Sequence, residues 1–325
     1  MGLEALIRRP PTSEEQQGHA GTAELQGALE AARQQFFATV KDIRPQLHRF
    51  CTRMSGSVLD GEDLVQETLA QAFYSLGSLK DARRLEPWLF RIAHNKCLDF
   101  LRGEKRQREI LVPYDDEALE HGPDRTDVPA EPIDEALATL VVGLPPMERA
   151  CVLLKDVLDY RLAEIADVVD STLAGVKAAL HRGRVKLRQL NRTPPPSTVL
   201  DREERRLLDE YLACFNRRDW DELRRLIRAD ARVEVVGVTE FKLLDVGTPY
   251  FRNYSALLWE WKLSLARVDG EPMIVHWKKV GTEWRPHAAV RLWWQGGKVA
   301  RIKDYVHVDY LLRDAHTEED ETASE

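Results

Sequence analysis

The chain of 325 residues is poor in cysteine and has no long hydrophobic run, and each shortage argues against a class of protein. Its four cysteines are widely scattered and form no C-x-x-C pair, so neither a zinc site nor a disulfide framework is indicated. No apolar stretch approaches a membrane span, and the amino-terminal sequence lacks the apolar segment of a signal peptide. We therefore expect a cytoplasmic protein with no membrane contact, and we assign it no metal and no cofactor.

The formal net charge of −7 is spread unevenly along the chain. Residues 109–135 hold ten acids and one arginine, and residues 314–325 hold six acids without a lysine or arginine. The rest of the chain is net basic, and residues 176–191 contain no acid at all. This asymmetry is typical of a nucleic-acid-binding protein with acidic connectors, although connectors that merely stay solvated have the same composition.

Hydrophobic periodicity and proline content divide the chain into three folded parts. Residues 25–108 and 133–192 have apolar positions at intervals of three and four, which predicts helices. Residues 200–313 begin with amphipathic helices and continue with strand-like runs. The sequence therefore predicts two all-α regions followed by an α+β cone, a curved sheet that encloses an apolar cavity. The expected connectors are a disordered amino terminus, an acidic linker, a proline-rich linker and an acidic tail: 1–24, 109–132, 193–199 and 314–325.

The second helical part contains a helix-turn-helix pattern. The short helix RLAEIADVV is followed by a turn at Asp170-Ser171-Thr172 and then by a basic helix that includes VKAALHRGRVKLR. A short helix, a tight turn and a basic second helix are the elements with which many proteins enter the major groove of DNA. An ordinary amphipathic helix with solvated lysines would not need to exclude acids so completely.

Three motifs in this order resemble a bacterial sigma factor of the sigma-70 family. They are DGEDLVQETLAQAFYSL, EPWLFRIAHNKCLDFLR and the block LPPMERACVLL…EIADVV…VKAALHRGR. The chain is most similar to the extracytoplasmic-function (ECF) group, which keeps only regions two and four. FNRRDWDELRRLI and GGKVARIKDYVHVDYLL resemble, more loosely, the SnoaL-like cone of ketosteroid isomerases and polyketide cyclases. The resemblance implies a non-enzymatic factor that recruits core RNA polymerase to promoters and initiates transcription, with the cone regulating it in cis.

An acidic face on the first motif is the candidate polymerase contact. Its carboxylates share the exposed side of a helix whose other side is apolar, so the face either meets a basic partner or stays solvated with a favourable helix dipole. The resemblance implies the first reading, with the helix docked on the clamp helices of core RNA polymerase while region four meets the flap. The core-binding residues so implied are Asp60, Asp63, Gln66 and Glu67.

The second motif and the basic helix are the candidate contacts with promoter DNA. Aromatic and basic residues alternate in the second motif, which suits a strand whose bases are unstacked. The resemblance implies that Arg91, Asn95 and Arg102 bind the minus-ten element, whereas Trp88 has the spacing of a core residue. It also implies that the basic helix reads the minus-thirty-five element through Lys177, His181, Arg182 and Arg184.

Two alanines weaken the expected base readout of that helix. Ala178 and Ala179 stand where many relatives have a polar residue and an arginine. An alanine can contact a thymine methyl group but cannot donate a hydrogen bond to a base edge. We therefore expect phosphate contacts to dominate there, with specificity resting more on the minus-ten helix.

The cone offers a candidate regulatory pocket with a small hydrophobic ligand. Its lining is predicted to include His276, Asp304, Tyr305 and His307. Strand alternation puts Asp304 and Tyr305 on opposite faces, and the sequence does not say which of them points inward.

Two other classes of function fit the same sequence. A cyclase- or isomerase-like cone enzyme with a vestigial sigma part would need an ionisable base and an oxyanion partner in the cavity. A helix-turn-helix regulator that never binds core polymerase would have no use for the acidic face of Asp60–Glu67.

Overall fold

The computed structural model describes residues 36–79, 81–111, 141–189, 200–236 and 248–320. The predicted amino-terminal segment, the proline-rich linker and nearly all of the acidic linker lie outside these ranges. Within them, no helix is both long enough and apolar enough to cross a membrane. The same residues contain no group of three or more histidine, cysteine, aspartate or glutamate side chains placed to hold a metal ion.

The first helical unit, residues 36–111, includes a helical segment at residues 36–40, and three longer helices follow it. They are α1 (Arg44–Ser55), α2 (Val58–Tyr74) and α3 (Leu85–Leu111). Ser57 caps α2, because its side chain accepts a hydrogen bond from the backbone N–H of Asp60. Helices α1 and α2 approach closely at Gly61, where a Cβ atom would lie 2.7 Å from the backbone of Thr52. Two short 3₁₀ turns, at Leu76–Ser78 and Ala82–Arg84, lead from α2 to α3.

The second helical unit, residues 141–189, contains the predicted helix-turn-helix. Its helices are α4 (Pro146–Val152), α5 (Leu162–Val168) and α6 (Leu173–Gln189), and α4 runs on into a π-helical turn at Leu153–Val157. Helix α6 packs closely on α4 at Gly183, where a Cβ atom would lie 2.8 Å from Val152. This contact fixes the angle between the basic helix and the helix on which it rests.

The two helical units share one hydrophobic core. Phe90 of the first unit packs edge-on against Tyr160 of the second, with ring centroids 5.2 Å apart. Arg149 of α4 is buried and donates a hydrogen bond to the carbonyl oxygen of Met54 at the end of α1. The Arg149 guanidinium group of the second unit thus donates to a carbonyl group at the end of a helix in the first unit.

The third unit, the cone of residues 200–320, confirms the predicted α+β architecture. Helices α7 (Arg202–Arg217), α8 (Trp220–Leu226) and α9 (Thr248–Ser255) cover one face of a six-stranded sheet. The sheet order is β1-β5-β4-β3-β2-β6, with β1 parallel to β5 and the other pairs antiparallel. The strands are β1 (Ile227–Val235), β2 (Trp261–Val268), β3 (Glu271–Val280), β4 (Glu283–Gln295), β5 (Lys298–Asp304) and β6 (Thr317–Glu319).

The end of the cone differs from the sequence-based prediction. Strand β5 ends at Asp304, and turns rather than a strand follow it. The predicted acidic tail begins inside the folded cone, because β6 pairs with β2 and Lys262 binds Glu319 at 2.7 Å. Composition alone predicted a solvated tail, but here the acids are neutralised by cations from distant parts of the chain.

Candidate functional site

The acidic side of α2 faces the cone. Asp60 accepts a hydrogen bond from Arg291 at 2.8 Å, and Asp63 accepts one from Lys303 at 2.6 Å. Arg291 on β4 and Lys303 on β5 are opposite each other in the sheet register, so both lie on its outer face. Asp60 and Asp63 lie three residues apart on α2, and each of them binds one of the two cations.

Tyr305 adds a second donor to Asp63. Its hydroxyl lies 3.1 Å from the Asp63 carboxylate, so Tyr305 points outward to the first helical unit. Burial raises the pKa of the Asp63 carboxyl, and the hydrogen bond from Lys303 opposes that rise.

Glu62 is a further buried member of the contact, and it is not among the core-binding residues predicted from the sequence. Its carboxylate is fully buried and accepts hydrogen bonds from Arg44 at 2.6 Å and from the Tyr310 hydroxyl at 2.9 Å. The available signal was its place in the acidic motif. The surface between α2 and the cone also has an apolar centre, where Val58 and Leu59 join a cluster of cone residues. An apolar centre with a charged rim is the usual anatomy of a specific protein interface.

The other two predicted core-binding residues lie beside this contact. Gln66 is 3.5 Å from Glu62, and the Glu67 side chain is 60% exposed and lies 3.4 Å from the ammonium group of Lys96. Of the four predicted residues, the structure therefore brings Asp60 and Asp63 to the cone and leaves Glu67 on an open surface.

The predicted minus-ten residues share an exposed side of α3. Asn95 is exposed, Arg102 pairs with Asp99 at 3.0 Å, and Arg91 lies 3.9 Å from Asp170 of the second helical unit. Trp88 is partly buried against the common core, as its spacing predicted. His94 is buried beside them, and this burial lowers its pKa to about 4.

The basic helix α6 uses much of its charge within its own unit. Arg184 binds Asp156 through two hydrogen bonds, and its side chain is only 19% exposed. Arg182 and Lys186 both bind Glu148, at 2.9 Å and 3.0 Å. These buried acids on α4 and the π-helical turn are not among the residues predicted from the sequence.

Few basic side chains of α6 therefore remain on its solvent-facing side. Lys177 and Ala178 are exposed, and His181 is half-buried. Ala179 is 1% exposed and belongs to the core, so only one of the two alanines faces outward.

The four residues predicted to line the cone pocket do not meet. Asp304 points inward and accepts hydrogen bonds from the hydroxyls of Tyr250 and Tyr254, at 2.7 Å and 2.5 Å, and from a backbone N–H. His276 is also fully inside, and burial lowers its pKa to about 3. Tyr305 lies on the other face of the sheet and His307 is exposed, because the chain leaves the strand after Asp304.

Comparison with known proteins finds family models that match the two helical units. The Sigma-70 region 2 family model matches residues 39–107, and the Sigma-70 region 4 model matches residues 134–187. The ECF RNA polymerase sigma factor SigM of Mycobacterium tuberculosis is 30% identical over 147 residues, which cover 45% of this chain and 71% of SigM. The chain belongs to the ECF sigma factor family.

Two further similarities involve other sigma factors of the same group. SigG, an ECF sigma factor of Mycobacterium tuberculosis, is 33% identical to this sigma factor over 224 residues, and the match spans about 60% of the length of SigG. The crystal structure of the ECF sigma factor SigJ of the same organism shares 19% identity and a TM-score of 0.31, covering 84% of this chain and 97% of SigJ. The cone lies outside both family models.

Proposed function

We propose that this sigma factor recruits core RNA polymerase to promoters, and that its cone holds it in a closed form that polymerase must open. One observation carries the proposal. Asp60 and Asp63, which the family resemblance implies as polymerase contacts, are bound by Arg291 and Lys303 of the cone. On this proposal the cone presents to α2 the positive charge that polymerase would otherwise supply.

The cone and core polymerase cannot bind the Asp63 carboxylate at the same time. Lys303 is 7% exposed at its side chain and lies 2.6 Å from Asp63, so a second basic surface cannot reach that carboxylate while the cone is in place. The exchange is energetically feasible, because one cation replaces another and no carboxylate is left buried without a partner. Differential binding of polymerase to the open form would then supply the free energy of opening.

The two helical units must also separate to read both promoter elements. The ion pairs that join the first helical unit to the second, Arg84–Asp167 and Arg91–Asp170, are largely exposed. Exposed pairs contribute only about 0–1 kcal/mol each, so the shared hydrophobic core, and not these pairs, is what polymerase binding must overcome to separate the units. We propose Arg91, Asn95 and Arg102 as minus-ten contacts, and Lys177, His181 and Arg182 as minus-thirty-five contacts. Arg184 joins them only if DNA displaces Asp156.

We propose no catalytic step for the cone. Both oxygens of Asp304 already accept hydrogen bonds from three donors, which is the arrangement of a structural carboxylate rather than of a free base. A role in transcription initiation places the protein in the cytoplasm with polymerase and promoter DNA as its partners.

A charge swap tests the proposal. In full-length protein, Lys303→Asp should open the cone and raise both core-polymerase affinity and promoter-specific run-off transcription. Asp63→Lys should open the cone but lose polymerase binding, since the docking carboxylate is gone. Combining both substitutions should restore the ion pair in reverse, which hydrogen exchange at α2 would detect as renewed protection, without restoring transcription.

Two outcomes would contradict the proposal. Failure of the wild-type protein and of Lys303→Asp to support any promoter-specific transcript would reject the sigma role. Equal polymerase affinity for the wild type and Lys303→Asp would reject closure by the cone.

A further inference from the structure

A cavity of about 480 Å³ lies where the cone meets the first helical unit. The β3–β4 ladder ends at the pair Ile274 and Val290, and beyond it each strand pairs only with its other neighbour. The cavity occupies this end of the sheet, between the first residues of β3 and the last residues of β4. It is separate from the buried cluster around His276 and Asp304, neither of which lines it.

Both units contribute walls to this cavity. The cone supplies Leu208 of α7 together with Leu292 and Trp294 of β4, and the first helical unit supplies Leu59 and Phe100. A site assembled from two units exists in full only while they are in contact. Any ligand that fills it therefore favours the closed arrangement over the open one.

Carboxylates outnumber cations at the cavity. Four carboxylates line it, and Arg291 is the only cation among the described lining residues. Arg291 is already bound to Asp60 at 2.8 Å. The negative charge that a ligand meets therefore comes from Glu204 and Glu271 of the cone.

We infer that this cavity binds an amphipathic organic cation. Its size falls within the range of roughly 300–1,000 Å³ that is usual for small-molecule sites. The aromatic or aliphatic body of the ligand lies between the Leu208, Leu292 and Trp294 side chains, where burial of apolar surface drives binding. Its protonated nitrogen lies near Glu204 and Glu271, whose carboxylates favour a positive charge.

Ligand binding also regulates the protein, and this part rests on the proposed function. Because the walls come from both units, the bound cation stabilises the contact that covers Asp60 and Asp63. The ligand therefore lowers the affinity of the chain for core polymerase, in proportion to its preference for the closed form.

Fluorescence titration of the full-length protein with 9-aminoacridine, a planar cation, tests binding without polymerase or DNA. We expect saturable binding at one site and at least about tenfold weaker binding of acridine-9-carboxylate, which has a similar shape and the opposite charge. Replacing both rim acids, Glu204→Gln with Glu271→Gln, should weaken binding of the cation at least about tenfold. Glu203→Gln is the matched control, since it removes the same charge from the same turn of α7 outside the cavity.

Three results would overturn the site: no saturable binding of the cation, comparable binding of the anion, or unchanged affinity in the double variant. Glu204 and Glu271 are exposed, so their neutralisation should leave thermal unfolding unchanged. Met273→Trp provides an independent variant, because the larger side chain fills the cavity and should also abolish binding.

The coupling between ligand binding and polymerase binding is tested by titrating core polymerase, without DNA, against protein saturated with 9-aminoacridine. A several-fold loss of polymerase affinity supports it, and an unchanged affinity refutes the regulatory part. The titration of the free chain does not depend on whether the protein acts as a sigma factor. Failure of the site and failure of the proposed function are thereby distinguishable.

Discussion

Helix α2 carries acidic side chains and helix α6 carries basic ones. Their ion-pair partners lie at very different distances along the sequence. The carboxylates of α2 bind cations of the cone that lie 231 and 240 residues away in sequence. The arginines of α6 bind acids only 28 and 34 residues away, within the same helical unit. The local pairs lie within the fold of one unit, whereas the distant pairs join two separate units.

The two sets of ion pairs also differ in burial, because the acid of the local pair is more buried than the acids of the distant pairs. The Asp156 side chain is 2% exposed, whereas those of Asp60 and Asp63 are 28% and 32% exposed. Losing the partner of a buried charge costs far more than losing the partner of a charge that water can reach. The contrast therefore predicts that α6 needs its pairs to fold, and that α2 exchanges its partners in function.

The largest expected effect is on the fold of the second helical unit. Arg184→Ala leaves Asp156 buried without a partner and should destabilise that unit by about 3 kcal/mol. Denaturant unfolding followed by circular dichroism measures the loss. Arg188→Ala, at an exposed position of the same helix, should cost little. A stable Arg184→Ala protein with weakened promoter binding would show instead that Arg184 contacts DNA.

The next effect is on closure by the cone. Arg291→Glu combined with Lys303→Glu repels Asp60 and Asp63 and should raise core-polymerase affinity about tenfold or more. Fluorescence anisotropy with labelled protein measures that affinity. Lys279→Glu combined with Arg285→Glu is the control, because these cations pair with acids inside the cone. A similar gain in the control would mean that net charge, not the contact with α2, controls polymerase binding.

A smaller effect is expected at the exposed start of α6. Lys177→Ala should weaken promoter binding by about 1 kcal/mol, equally for matched and mismatched minus-thirty-five sequences, because it contacts phosphate rather than bases. The slope of log affinity against log salt should fall by about one. Loss of affinity for the matched sequence alone would show base readout by Lys177 and would contradict the narrow reading surface inferred for α6.

The last effect concerns pH dependence in the interior of the cone rather than surface charge. His276 is neutral in the native state with a pKa of about 3, whereas the unfolded chain binds a proton below about pH 6.5. Its contribution to stability is complete above pH 6.5 and declines as the pH falls toward 3, by up to about 1.4 kcal/mol per pH unit. Thermal melts of His276→Phe between pH 6.5 and 5 should show a weaker pH dependence than the wild type. A wild-type slope in His276→Phe would reject this assignment.

The sequence by itself determined the local structure of this protein. Apolar intervals of three and four gave α2, α3 and the helix-turn-helix, and the order of helices before strands gave the α+β cone. These features depend on side-chain periodicity and on turn residues that are neighbours in the chain. Strand alternation likewise placed Asp304 and Tyr305 on opposite faces, although it could not orient the pair.

Only the tertiary structure decided where the charges of these elements go. The inward direction of Asp304, the pairing of Arg184 with Asp156 and the covering of Asp60 and Asp63 by the cone all depend on contacts between separate elements. A charged side chain in a sequence looks the same whether it meets water, DNA, polymerase or its own chain. The choice rests on burial and on the geometry of partners up to 240 residues away, and no local pattern encodes either of them.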